Sequence, residues 1–499
     1  MPKKLTFEIL LIPFLFLLVY FQVFFAEYAY SDDIHGLWHN RDGFSYTFVV
    51  AQGRLLTGLL VNKIATATST ISDLKYLRIA SLIGWILTVF LWRFFFRSWT
   101  NRFDLDNRMN IVMIFYVVCC IPVTVFIGWS ACMERFTGVI AGLLSGHLFL
   151  KAILGTTNSK SKSIALVACS LLMGIVALFI HQSTFGVFLF PFFVYYLKKF
   201  PDLPVKKVAI SIIFYLLVYV AYYILFKLSL KIENIQPSAR VGISKDLSGK
   251  LSFLFSDPLP AAFSVNILYT ARSIFSQLLA PLMMLVWVAT VFIRYKKNKI
   301  AIRLLHIITV LFFLVLMYIP NMIALENFSS YRTLFALNLA VFYLLAEQAL
   351  FFLNKQKQKT IFTYSICILL VLTGFYNYNF QMATPLKIEQ KAFSSFIAPH
   401  VKDNFQTVYF IRADKFMFSP YYHTLPYKDE FGLPSTNKDW VPEPLVKQCV
   451  FESTGDRSKA EKIRVIQFAD TAEYNNAKVQ LTNKDLLVDM NKLFTDYVK

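Results

Sequence analysis

MPKKLTFEILLIPFLFLLVYFQVFFAEYAYSDD, residues 1–33, sets two lysines before an apolar run from about 5 to 25 and then adjacent carboxylates, Asp32 and Asp33. The run is long enough to cross a bilayer and too long and aromatic for a cleaved signal peptide. Ala26 and Ala29 imitate a cleavage site only loosely. We therefore expect an uncleaved anchor with its Lys3/Lys4 end in the cytoplasm, which puts Asp32 and Asp33 on the outer side. A carboxylate pair at the mouth of a span is costly to desolvate, so it should face water or a buried cation rather than lipid. A solvated loop that merely ends the first helix is the plainer account of the same residues.

Working outward, residues 44–64 place Phe48, Leu55 and Leu59 at helical spacing beside Thr47, Arg54 and Asn62. That pattern predicts an amphipathic helix along the outer interface, with Arg54 about 100° round from Leu55 and able to point toward the aspartates. Apolar spans then recur at 77–96, 109–129, 136–154, 164–180, 184–197, 208–226, 268–293, 300–319, 333–353 and 361–376, making eleven with the first. Alternating sides gathers Arg93, Arg97 and Arg102, Lys160 and Lys162, Lys198 to Lys207, Arg294 to Lys299, and Lys355 to Lys359 inside, as the positive-inside rule requires. The same alternation puts Asp32, Asp33, Arg54, Glu134, Arg135, His181, the 231–264 loop with Arg240 and Asp257, and ENFSSYR (Glu326 to Arg332) outside. Each taken singly reads as an ordinary interfacial or loop residue; their convergence on one face makes them a candidate site.

With 57% hydrophobic and only 16% charged residues and a mean hydropathy of +0.53, the chain reads as a polytopic membrane protein. Its +20 formal charge belongs to the short loops, because residues 381–499 are nearly balanced; the basic residues are topology determinants and nucleic-acid binding is not expected. Cys119, Cys120, Cys132, Cys169, Cys367 and Cys449 have no ligand-like spacing and read as small packing residues. After residue 376 hydropathy falls, and we expect residues 1–380 to form the membrane part, with an outer loop at 26–76, and 381–499 a small extracytoplasmic α/β domain. That domain would hold a helix at 387–401, short buried strands at 407–411 and 463–468, and a closing helix or strand at 486–497. Tyr421, Tyr422 and Trp440 could stack on sugar rings, although loop aromatics are more often local packing. Lys357 is expected inside, Asp42 and Lys484 outside.

No GxGxxG, Walker loop, HExxH or G-x-S-x-G stands in a plausible setting. Outward carboxylates and arginines suit a different reaction, transfer of a sugar from a lipid-linked phosphate. A carboxylate deprotonates the acceptor hydroxyl as it attacks the anomeric carbon, and fixed cations hold the departing phosphate. Asp32 or Asp33 fits the first role; Arg54 and Arg332, with Arg240 on a mobile loop as a third, fit the second, arginine being favoured by its planar two-point fork.

The DD pair after the first span, the Gly53-Arg54 step of the outer helix and the late ENFSSYR segment together resemble the bacterial O-antigen glucosyltransferase family of GT-C membrane glycosyltransferases, including the phage-type serotype-converting enzymes. The likeness covers roughly residues 1–380. It implies a GT-C-like α-helical fold of about eleven spans in the bacterial cytoplasmic membrane, a polyprenyl-phosphate-linked hexose (glucose above all) as donor, an outward active site, and a lipid-linked or surface polysaccharide as acceptor. Asp32, Asp33, Arg54 and Arg332 match its motifs; Glu134, Arg135, His181 and Arg240 rest on topology, and Glu326 and Tyr331 are supporting members of the late segment. Whether the acid pair also holds a divalent metal is left open. An O-antigen polymerase, recognised by a large arginine-rich outer loop, and a lipid-linked-sugar flippase, recognised by ionisable residues at mid-span and an internal repeat, are the competing functions; a non-catalytic envelope scaffold would tolerate loss of the pair.

Overall fold

The structure is a computed structural model that describes the chain except for residues 1, 40–42, 65–66, 156–158, 203–204, 272–273, 402–404 and 429. Asp42 thus lies outside the described residues. Among them, nine helices are long and apolar enough to cross a membrane, which makes this a helical, multi-pass membrane protein by length and composition. Two of the eleven expected runs are not among the nine. The first is interrupted, its helix Pro2–Tyr20 giving way to a 3-10 turn at Phe21–Phe25.

The second, 184–197, is a 3-10 stretch Gln182–Leu189 running into the helix Phe190–Lys199, and every side chain from Ser183 to Leu197 is buried. It is a wrapped central element rather than a lipid-facing span. Its burial is made by Gly138, Gly142 and Gly146, one turn apart on the helix Arg135–Ile153: a Cβ at Gly146 would overlap the Phe188 carbonyl, and one at Gly142 would lie 3.0 Å from the Thr184 carbonyl. Small residues at this spacing let backbones meet where lipid offers no hydrophobic drive for packing. Aromatic rings fill what remains, with Phe185 stacked on Tyr215 and Phe188 tilted on Phe149.

Other boundaries move for local reasons. The 109–129 run divides into Asn107–Cys119 and Ile121–Gly128, with Pro122 in the first turn of the second helix where a missing N–H costs nothing. The expected helix over 44–64 is two helices, Phe44–Ala51 and Leu55–Ile64, separated at Gln52-Gly53-Arg54. The fall in hydropathy after residue 376 does not end the helix: Gln356–His400 is a single helical rod of 45 residues, carrying a π-helical turn at Asn379–Ala383. The 387–401 helix is its far end.

Beyond the rod, β1 (Thr407–Ile411), β2 (Arg464–Phe468) and β3 (Asp485–Asp489) form a parallel sheet in the order β2-β1-β3. Parallel strands need crossover connections and cover on their faces; helices Pro442–Thr454 and Met490–Val498 supply it and pack back on Thr384–His400. The 486–497 segment is thus a strand followed by a helix. Tyr421 and Tyr422 pack on Phe494, while Trp440 stays 41% exposed. All six cysteines are thiols, and only Cys169 is exposed.

Candidate functional site at one end of the helices

A cavity of ≈1030 Å³ opens where several helices end. Leu74 and Leu77 reach it from the start of Leu74–Phe103, Arg135 from the start of Arg135–Ile153, His181 from the end of Lys160–Ile180, and Arg332 from the start of Tyr331–Phe352. The opposite ends of the same helices carry Arg97 and Arg102, Lys151, and Lys160 and Lys162. Asp32, Asp33, Arg54, Glu134, Arg135, His181, Arg240, Glu326 and Arg332 all border this one cavity. Tyr331 does not: its hydroxyl bonds Thr270 at 2.7 Å and its ring stacks on Tyr427.

The two aspartates differ. They open a short helix, Asp32–His39, rather than lying in an extended loop, and successive helical residues still point about 100° apart. Asp33 turns inward and forms a 2.8 Å ion pair with Arg78, with side-chain exposures of 1% and 0%. Its other lone pairs accept from the backbone N–H groups of Tyr30 at 3.1 Å and Ala131 at 2.8 Å. Arg78 spends its remaining donors on the carbonyls of Ala26, Tyr28 and Gly128 and lies over the Tyr28 ring. Burial lifts the Asp33 carboxyl above its ordinary range, with Arg78 pulling the other way. Asp33 is a structural tie among the helix Asp32–His39, the helix Leu74–Phe103 and the 129–131 turn, whereas Asp32 is exposed at the cavity wall.

Arg54 is presented by the break in its helix. Gly53 has φ +83 and a Cβ there would overlap the Tyr222 hydroxyl, so the left-handed turn is open to glycine alone. The Tyr222 hydroxyl donates to the Gly53 carbonyl at 2.9 Å, and Gln182 Nε2 donates to the Gln52 carbonyl at 2.8 Å. Burial first, then the neighbouring Arg135 and Arg332, lower the Arg54 guanidinium from its ordinary value to about 9. His181 is held well below its ordinary value by burial and by Arg135, Arg54 and Arg332. Its Nδ1 lies 2.8 Å from Ser183 Oγ and 3.3 Å from the Ser183 backbone nitrogen.

Arg54 Nε, Arg135 Nη1, Gln52 Nε2, Asn321 Nδ2, Trp129 Nε1 and Ser130 Oγ are buried without a hydrogen-bond partner, and all six residues border the cavity. Arg135 Nε has no hydrogen bond of good geometry but lies 3.3 Å from Glu134 Oε1 in an ion pair. Unpaired buried donors are expensive, and a set made mainly of N–H groups suits an oxyanion. Arg332 is more constrained: it lies 4.1 Å over the Trp129 ring and is ion-paired with Glu430, whose second oxygen accepts the Arg332 backbone N–H at 3.1 Å. Arg240 pairs with Glu326 at 3.5 Å, both well exposed, on a loop tied back through the Leu325 N–H to the Gly242 carbonyl at 2.8 Å. Among the described residues, no three His, Cys, Asp or Glu side chains are placed to hold a metal ion.

Arg78 and Glu430 were not anticipated. A charge at the second residue of the 77–96 run was the available signal for Arg78, since such a residue needs an internal partner; nothing in the sequence around Glu430 distinguishes it. Compared with protein-family models, characterised proteins and solved structures, the chain matches none.

Proposed function

We propose that the protein is an integral-membrane glycosyltransferase that moves a hexose, glucose by its resemblance, from a polyprenyl-phosphate donor to a lipid-linked or surface glycan on the outer face of the bacterial cytoplasmic membrane. The observation that carries this is the exposed Asp32 carboxylate sharing a cavity with the unsatisfied N–H groups of Arg54, Arg135, Gln52 and Asn321, the other exposed carboxylate there, Glu326, being paired with Arg240. Asp32 takes the proton of the acceptor hydroxyl as its oxygen bonds the anomeric carbon. The bond from that carbon to the phosphate oxygen breaks, and the electron pair leaves with the phosphate. Fixed guanidinium and amide donors meet the charge where it develops, which is worth most in a site that excludes water. The hydrocarbon tail has a matching wall in Phe48, Leu60, Val61, Ile64, Val220 and Tyr223. The eleven-span GT-C count and an outward C-terminal region belong to the same proposal.

Its test is turnover of polyprenyl-phosphate [14C]glucose by membranes holding wild-type protein or Asp32→Asn, with lipid-linked glycan from cells lacking the gene as acceptor. Label should pass to the glycan in the wild type and fall about 10²- to 10⁴-fold in the variant. Equal transfer by both would remove the catalytic carboxylate and with it the reading.

A further inference from the structure

The cavity has two unlike walls. One is the span Val205–Ile232, which contributes Val220 and Tyr223, both more than 40% exposed, and shares the cavity with the apolar residues of Leu55–Ile64. The other is Asp32–His39 together with Trp440, which belongs to the region beyond the last span. Of the exposed aromatics in that region, Phe416, Trp440 and Tyr497, only Trp440 borders the cavity among the described residues.

Trp440 is held there by an anchored strap. The Glu389 carboxylate accepts the Ser435 and Thr436 N–H groups at 2.9 and 2.8 Å, and Ser435 Oγ in turn accepts the Ser31 N–H at 2.8 Å, next to Asp32. Asn437 donates to the Ala413 carbonyl at 2.8 Å. On the other side of Trp440 the helix Pro442–Thr454 begins and packs on Asp32–His39. Arg457, just past that helix, donates to the Trp38 carbonyl at 3.1 Å. A large aromatic on a fixed backbone, partly exposed at the cavity that Asp32 also borders and with Lys438 Nζ 5.4 Å from its ring centroid, has the form of a stacking platform. Its indole offers a flat apolar face and a polar edge, the combination that suits a pyranose ring, whose one face is C–H and whose rim is hydroxyl.

Resting on the glycosyltransferase reading, we propose that Trp440 forms the acceptor-glycan site, stacking on a sugar ring so that an acceptor hydroxyl reaches Asp32, while the donor enters from the side of Val205–Ile232. The C-terminal region is then the acceptor-facing half of the site.

The test uses full-length protein in nanodiscs. With polyprenyl-phosphate [14C]glucose and the lipid-linked glycan as acceptor, Trp440→Ala should raise the acceptor KM about 5- to 10-fold and leave the donor KM and release of glucose to water within twofold. Trp440→Phe should restore most of the loss. An unchanged acceptor KM, or a donor KM that rises in step with it, overturns the proposal. Binding of the delipidated oligosaccharide, read by saturation-transfer NMR, separates the two claims. Wild-type protein that binds the glycan but transfers nothing refutes the transferase reading while keeping the site, whereas equal binding by wild type and Trp440→Ala refutes the site whatever the turnover.

Discussion

Asp33 and Arg78 are joined 45 residues apart by a 2.8 Å ion pair with almost no solvent contact, and this pair, not the neighbouring Asp32, ties the start of the helix Asp32–His39 to the helix Leu74–Phe103. Removing one member of a buried pair strands the other and costs about 3–5 kcal/mol. Arg78→Ala and Asp33→Asn should therefore both lower the thermal unfolding midpoint in detergent, while Asp32→Asn should unfold like wild type and lose turnover. An Asp33→Asn protein as stable as wild type would reverse this division of roles.

The lowered Arg54 guanidinium gives a pH signature. Above about pH 9 and below the ordinary arginine value the unfolded chain holds a proton that folded Arg54 lacks, so stability from this group rises with pH across that window. Phosphate binding needs the charged form and goes the opposite way. The donor KM should climb above pH 9, approaching tenfold per pH unit, and the climb should be missing in Arg54→Gln. An identical alkaline limb in both proteins would assign it to another group.

Gly53→Ala tests presentation rather than charge. A left-handed Ala costs about 1–2 kcal/mol, and its methyl must displace Tyr222. Donor KM should rise with Arg54 intact, with a small fall in the unfolding midpoint. Wild-type donor kinetics would mean that the Gln52 to Arg54 break does not aim the arginine.

Arg332 and Glu430 lie 98 residues apart and are directly paired, so their substitutions should not add. In a double-mutant cycle with Arg332→Gln and Glu430→Gln, a coupling of about 0.5–3 kcal/mol is expected in stability. Additive effects would show that the pair is incidental.

Single-cysteine labelling from either side of the membrane should reach Lys357→Cys and Lys484→Cys from opposite sides. Labelling of both from one side would require a different number of crossings between them.

The spans and the cavity residues were legible because a bilayer enforces long apolar runs and basic-loop alternation, both local properties of sequence. Asp32, Arg54 and Arg332 could be read from where they stand relative to span ends. What escaped depends on partners distant in sequence. The inward turn of Asp33 is decided by Arg78, the break at Gly53 by Tyr222, the restraint on Arg332 by Glu430, and the burial of 183–197 by three glycines on another helix. Neither did the fall in hydropathy after 376 mark the end of a helix, because the rod runs on to His400 through a π-helical turn at Asn379–Ala383 as its side chains turn more polar.

The bond from the Ser31 N–H to Ser435 Oγ spans 404 residues. On a ribosome adding 5–20 residues per second, roughly 20 to 80 s separate the synthesis of its two ends. For that interval the segment bearing Asp32 lacks its strap, and Trp440 has not yet been made. A nascent or prematurely terminated chain therefore carries an incomplete cavity wall, and the cavity gains its full lining as a single late event in biogenesis rather than span by span.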